Sequence, residues 1–285
     1  MIVSHSVSVV ITTYNRSDAL LAVLSGLTRQ TDRNFEVIVA DDGSRQEHVD
    51  TLLRSPLAKT LSVTHVWHPD VGFTASRIRN RGVAQASSPY ILFLDGDCVP
   101  EVDFIAQHKA LARTGAFVNG SRVMLSKSLT QQALEGAVSV VGRGWPFWLA
   151  QRWLGNAGKL THLMRLSPQF NRRVQPAFSW KGIRSCNMGV WRADFERIDG
   201  FDESFIGWGH EDADFVLRLH HSGLVRKNGF CSTEVYHLWH PEASRQQESA
   251  NARLVSERSR TDVVRATLGY SQDRRDDDAV ITRIG

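Results

Sequence analysis

Three apolar, strand-forming runs, each closing on a polar cluster, constrain this chain more than any other feature. Residues 6–11 lead into Thr12, Thr13, Tyr14 and Asn15; residues 35–40 lead into Asp41, Asp42, Gly43 and Ser44; residues 90–94 lead into Asp95, Gly96 and Asp97. Short apolar runs rich in Val, Ile and Phe read as buried strands. Another short strand covers residues 61–67. Helical periods alternate with these strands. Leu20, Leu21, Leu24 and Leu27 follow Ser17 and Asp18, either of which can cap a helix, and a second helix covers about 74–86. Such alternation implies a mostly parallel sheet with right-handed crossovers. Ligands of such sheets sit beyond the carboxyl ends of the strands, and all three polar clusters fall there.

Asp95-Gly96-Asp97 is the sharpest of the clusters. Two carboxylates at i and i+2 can turn toward one point if the glycine between them bends. Hard oxygen ligands beside an open position suit manganese or magnesium held on phosphates. An acidic turn after a strand is the alternative, because short motifs match by chance.

At 285 residues with 42% apolar content, the chain can bury a sizeable core. A net charge of +4 suits an anionic substrate or surface. No nucleic-acid-binding module is present. Cys98, Cys186 and Cys231 are odd in number and far apart, which points to a reducing compartment rather than a disulfide framework. No signal segment is read at the start and no run of about eighteen apolar residues occurs. A cytoplasmic protein is the expectation.

The second half is less regular. A helix is expected at 103–113 and a strand at 116–125. Residues 141–169 hold Trp145, Phe147, Trp148 and Trp153 among Arg143, Arg152, Lys159 and Arg165. A basic, tryptophan-bearing helix can lie in a membrane interface; it can equally be an insertion whose tryptophans are core. Further on, Gly207-Trp208-Gly209-His210-Glu211-Asp212-Ala213-Asp214 opens a helical pattern. Acids at a helix start are ordinary dipole partners, the expected role of Asp214. Glu211 and Asp212, at the junction beside an aromatic, suit a sugar face and a hydroxyl proton. His237 and His240 follow as further candidates. Residues 271–278 are highly charged and read as a solvated tail.

With these segments placed, the chain resembles the family 2 glycosyltransferases of the GT-A fold over roughly residues 6–119 and 185–240. The blocks that carry the likeness are Thr12-Thr13-Tyr14-Asn15, Asp41-Asp42-Gly43-Ser44, Arg79-Asn80-Arg81-Gly82 and Asp95-Gly96-Asp97, in order. Gly207-Trp208-Gly209-His210-Glu211-Asp212 is similar to the acceptor-side motif of β-1,4-galactosyltransferases and chondroitin polymerases. The resemblance implies an α/β, GT-A (nucleotide-diphospho-sugar transferase) fold, a mostly parallel central sheet flanked by helices, with a helical insertion. Its parts would be a nucleotide-sugar-binding half (1–120), the Trp-rich insertion (121–180), an acceptor-binding and catalytic half (181–260) and the charged tail (261–285), all in a single GT-A domain.

The resemblance also implies roles. Thr12 and Tyr14 would line the nucleoside pocket, Asp42 would accept a base N–H, and Asp41 would hold the strand end or the ribose. Arg77 or Arg79, with Asn80, would approach the donor. Asp95 with Gly96 would touch the ribose or water on the metal, while Asp97 and His237 would bind a divalent ion, manganese or magnesium. Asp212 would be the general base, Glu211 would hydrogen-bond the acceptor and Trp208 would cover a sugar ring. The implied reaction is inverting transfer from a nucleotide sugar, UDP-linked, to a glycan or lipid-linked glycan acceptor in cell-surface polysaccharide or lipopolysaccharide biosynthesis, with peripheral membrane contact through residues 141–169. His210 stands where the galactosyltransferases usually carry glycine, and Cys98 where an aspartate often follows the metal motif. A nucleotidyltransferase making nucleotide sugars, or a non-catalytic glycan-binding module of this fold, are the competing functions. The first normally carries a glycine-rich, lysine-containing phosphate loop, which Thr12 to Asn15 lacks.

Overall fold

The computed structural model describes residues 5–241, 248–273 and 278–285. Its strands are β1 (Val7–Thr13), β2 (Phe35–Asp41), β3 (Thr64–Trp67), β4 (Tyr90–Asp95), β5 (Cys98–Pro100), β6 (Ala116–Asn119), β7 (Ser121–Met124), β8 (Val174–Gln175), β9 (Asn187–Trp191), β10 (Val225–Asn228), β11 (Glu234–His237) and β12 (Val280–Arg283). Its helices are α1 (Ser17–Leu27), α2 (Gln46–Leu53), α3 (Pro56–Thr60), α4 (Ala75–Gln85), α5 (Phe104–Leu111), α6 (Lys127–Leu134), α7 (Trp145–Trp153), α8 (Arg192–Arg197), α9 (Glu211–His221), α10 (Glu248–Arg258) and α11 (Tyr270–Asp273).

Nine strands form one sheet in the order β12-β3-β2-β1-β4-β9-β6-β10-β8, and β5-β11-β7 form a second. The parallel block expected from the strand–helix alternation is β3-β2-β1-β4. Beyond β4 the sheet is mixed, since β9 runs antiparallel to both β4 and β6. Period-two alternation divides the core. Val7, Val9, Ile11, Leu92 and Leu94 face α1, α2, α3 and α5, while Val10, Ile38, Ile91 and Phe93 face α4, α8 and α9.

Several local expectations change. Helix α1 starts at Ser17 itself and its N-cap, Arg16, makes no side-chain capping bond; the Ser17 hydroxyl instead meets His48 Nδ1 at 2.9 Å. The strand expected at 116–125 divides at Gly120, because a Cβ there would overlap the Asn187 side chain at 2.1 Å. That break sends β6 to the large sheet and β7 to the small one. The expected solvated tail is partly built into the fold: β12 pairs antiparallel with β3, and Asp278 ion-pairs with Arg81. Within that segment residues 274–277 lie outside the described residues, as do 1–4 at the start and 242–247 of the catalytic half.

The Trp-rich segment serves both faces of α7. Trp148 is fully buried and stacks on Tyr236 at 4.7 Å. Trp145, Leu149 and Trp153, spaced by four residues, are exposed, Trp153 by 87%. No helix among the described residues is long and apolar enough to cross a membrane.

Candidate active site

Parallel register brings the ends of β1, β2 and β4 side by side, with Thr12 opposite both Ala40 and Asp95 and Thr13 opposite Asp41. The Gly96 N–H donates to the Thr12 carbonyl at 2.8 Å. A Cβ on Gly96 would sit 3.0 Å from that oxygen. Glycine is needed there for close approach and not for a left-handed bend, since Gly96 is absent from the positive-φ positions. The Thr12 hydroxyl is buried without a partner.

At one end of this edge Asp42 is nearly buried and accepts from the Thr74 N–H at 2.9 Å, the Thr74 hydroxyl and His68 Nε2 at 2.8 Å. Arg81 lies 2.9 Å from His68 Nδ1. A guanidinium can only donate, so His68 accepts at Nδ1 and donates from Nε2 to Asp42. Asp41 is turned away, accepting from the Ser44 N–H at 2.8 Å and meeting His65 at 3.1 Å. It holds the strand end. Tyr14 is half exposed and donates to Asp70 at 2.8 Å, and Gly43, at φ +90°, packs under the Asp70 backbone.

Between the ends, Arg79 sits 3.3 Å from Asp95 and 3.3 Å from Glu211. Arg77, two residues earlier on α4, lies 3.6 Å from Asp278. Asn80 is fully buried, donating to the Phe201 carbonyl and Glu203 and accepting from the Phe201 N–H. It braces the 201–203 turn and does not reach the sheet edge. Burial pushes the Asp95 carboxyl up to about 6, with Arg79 opposing and Asp97 adding to the rise.

Asp97, His237 and His240 form the remaining cluster, with ligand atoms all within 4.8 Å of one another. His240, which the resemblance did not assign, lies 3.2 Å from Asp97, closer than His237 at 3.8 Å. The Pro241 carbonyl can only accept, so His240 Nδ1, 2.8 Å from it, donates, and Nε2 is turned to the Asp97 carboxylate. A divalent cation shared by the carboxylate and the two rings would satisfy all three groups together. Burial holds His237 neutral, its pKa lowered to about 4, and its buried Nδ1 has no hydrogen-bond partner among the described residues. The donor set fits a divalent ion of intermediate hardness. Cys98 is buried, and burial raises its thiol well above the ordinary range, as expected of a packing residue.

The acceptor-side loop is shaped by Gly207 (φ +76°), Gly209 (φ +109°) and His210 (φ +69°). A left-handed His210 at the N-cap of α9 explains why glycine suits this position. Glu211 and Asp212 open the helix, and burial raises both carboxyls. The nearby Ser185 N–H and the Arg79 charge oppose that rise at Asp212. Trp208 stays 36% exposed on the loop. Asp214 is structural: it pairs with Arg218 at 2.7 Å and Arg258 at 2.6 Å. From α10, Asn251 donates to the Ile206 and Gly209 carbonyls and Arg258 also holds Asp202. No spacing in the sequence signals this brace.

The profile for glycosyl transferase family 2 matches residues 8–162, more than half of the chain and the half that carries Asp42, Arg79, Asp95 and Asp97. The chain belongs to glycosyl transferase family 2. A second profile, the N-terminal domain of galactosyltransferase, matches residues 165–241, which include Glu211, Asp212 and both histidines. A family 2 relative, validoxylamine A glucosyltransferase of Streptomyces hygroscopicus, is 32% identical over 76% of this chain and 52% of its own length. Chondroitin synthase of Escherichia coli is 26% identical over 85% of this chain and 35% of its length. The chain thus spans about half, or less, of these curated relatives. Two solved structures share the GT-A fold: TarS of S. aureus (TM-score 0.59, 16% identity, 94% of this chain and 41% of that one) and the mannosyltransferase PcManGT of Pyrobaculum calidifontis in complex with GDP-mannose and manganese (TM-score 0.53, 18% identity, 90% and 61%).

Proposed function

We propose that this family 2 chain is an inverting, metal-dependent glycosyltransferase that moves a sugar from a nucleotide sugar, UDP-linked, to a glycan or lipid-linked glycan acceptor in cell-surface polysaccharide or lipopolysaccharide assembly. The observation that carries this is the convergence of Asp97, His237 and His240 beside the Arg79–Asp95–Glu211 chain and Asp212. Asp97, His237 and His240 would hold manganese or magnesium, which supplies Lewis-acid help to the departing diphosphate. Tyr14 and Asp42 would take the base, and Asp42 keeps one lone-pair direction free after its three protein donors. Asp212 takes the proton of the acceptor hydroxyl while that oxygen bonds to the anomeric carbon. The bond from that carbon to the phosphate oxygen breaks on the opposite side, and its electron pair leaves with the nucleoside diphosphate. One in-line displacement inverts the centre. Glu211 would receive an acceptor hydroxyl and Trp208 would cover a sugar ring.

The exposed stripe Trp145, Leu149 and Trp153, beside exposed Arg143 and Arg152, supports peripheral contact with an anionic membrane surface where a lipid-linked acceptor resides. The test of function is incubation with a panel of nucleotide sugars, manganese and candidate acceptors, following released nucleoside diphosphate. Acceptor-dependent release is expected. Turnover of nucleoside triphosphate with sugar phosphate would replace this assignment by nucleotidyl transfer, and binding without release would make the chain a non-catalytic module.

A further inference from the structure

Three cations stand together on the wall of this site. Arg122 on β7 is half-buried, and its side chain reaches Cys186 Sγ at 3.8 Å. Lys159 donates to the hydroxyl of the neighbouring Ser121. Arg184 is held by its N–H on Asn119 Oδ1 at 3.2 Å. Its guanidinium donates to the Gly182 carbonyl at 3.4 Å. Lys159 and the Arg184 backbone are thus held on residues 119–121, next to Arg122, and none of the three cations has a carboxylate within 4 Å among the described residues. Glu234, the acid whose charge Lys159 feels most, is occupied by the Cys231 and Ser232 N–H groups. Burial is the main cause of the lowered Lys159 pKa; the Arg184 and Arg122 charges lower it further, while Glu234 opposes them.

Position gives the cluster its meaning. Residues 184–186 run between the two reacting ends: the Ser185 N–H is near enough to Asp212 to lower its pKa, and the Cys186 carbonyl accepts the Asp95 N–H at 3.3 Å. A sugar spanning the metal-ligating cluster and the base therefore lies along this strip. Arg79 already has two carboxylates, Asp95 and Glu211, on its guanidinium. Half-buried cations without counter-charges are costly unless an anion joins them.

We infer that Arg122, Lys159 and Arg184 form a subsite for an oxyanion, a carboxylate or phosphate, carried on one of the sugars brought to this site. This rests on the glycosyltransferase assignment and adds a substrate class to it. A uronic-acid donor and an acidic acceptor sugar present the same chemistry, so the experiment has an arm for each.

The full chain with manganese is titrated calorimetrically with matched neutral and uronic nucleotide sugars in the gluco and galacto series. Transfer is then assayed to neutral oligosaccharides and to the same oligosaccharides bearing a carboxylate or phosphate. The acidic member of one arm is expected to be favoured by about tenfold or more, the scale of a hydrogen-bonded charge. In Arg122→Met and Arg184→Met that preference falls to within about twofold, whereas Arg54→Gln, at the exposed C-cap of α2, keeps it. Equal or better use of neutral sugars in both arms overturns the subsite and leaves glycosyl transfer standing. Equal loss of every donor, bare nucleoside diphosphate included, in the two variants also overturns it, because the cluster would then serve the diphosphate. Failure of every nucleotide sugar to bind or turn over removes both assignments.

Discussion

Arg79 and Glu211, 132 residues apart in the chain, meet at 3.3 Å through a guanidinium that is almost wholly buried. The same guanidinium reaches Asp95 at 3.3 Å, so the donor edge of the sheet and the start of α9 share one cation. Planar, forked donors suit that task better than a lysine's point charge.

Arg79→Lys and Arg79→Ala follow from this. Removing a cation from between two carboxylates leaves buried charge uncompensated, worth about 3 kcal/mol for a fully buried pair. The loss here should be nearer half of that, since the Asp95 side chain is one-third exposed. Turnover should fall by about 100-fold, on the scale of losing one preorganised electrostatic donor. Urea unfolding and steady-state rates check both; a lysine variant with wild-type turnover would contradict the bridging role.

The pH dependence of transfer has a definite direction. Asp212 must be ionised to accept a proton, and burial raises its pKa. The rising limb of kcat/KM should therefore lie above the range of an exposed aspartate, with activity gained as pH increases. Asp212→Asn should abolish transfer and keep donor affinity. A limb at the ordinary carboxylate position, or transfer by the asparagine variant at the native rate, would assign the base elsewhere.

Chelation should abolish donor binding, and manganese should restore it. His240→Ala should weaken manganese by at least tenfold, the loss that even an outer partner of a metal ligand brings, and His237→Ala likewise. Direct metal titration decides. Unchanged affinity in the His240 variant would leave Asp97 and His237 without it.

Gly43→Ala should be severe for its size. Its φ of +90° costs an L side chain about 1–2 kcal/mol, and the added Cβ would meet the Asp70 backbone at 2.6 Å. Displacing that loop moves Tyr14's partner and the loop of Asp42. Thermal unfolding should show a loss above 2 kcal/mol, an order of magnitude consistent with strain plus clash, together with weakened nucleotide binding.

The α7 stripe is open to a direct measurement. Trp145, Leu149 and Trp153 can be changed together to serine without touching the core, because Trp148 alone fills it. Sedimentation with vesicles containing about one-third anionic lipid should retain the native chain and release the variant, with neutral vesicles binding neither strongly. Equal retention of both proteins would remove the membrane contact.

How much of this was legible beforehand depends on the distance between partners. β1, β2, β4 and α4 follow from hydrophobic period, and Asp95-Gly96-Asp97 stands out as a motif, because neighbours along the chain decide both. Asp41 and Asp42 look alike in sequence. Only packing shows that one ties down a strand end against His65 while the other faces Thr74 and His68. Likewise Arg77 and Arg79 are two residues apart on one helix, yet that spacing turns them to different sides of α4.

Local sequence alone settled the order β1-α1-β2-β3-α4-β4, its buried strands and the polar loops at their ends, since each depends on residues within a few positions. Tertiary structure alone decided that His240 joins Asp97 and His237, that Arg79 links Asp95 to Glu211, and that Asn251 and Arg258 brace the loop ahead of Asp212. Such contacts join residues up to 143 positions apart, as between Asp97 and His240. Their geometry is set by how the two sheets and α9 pack, which no period or motif encodes.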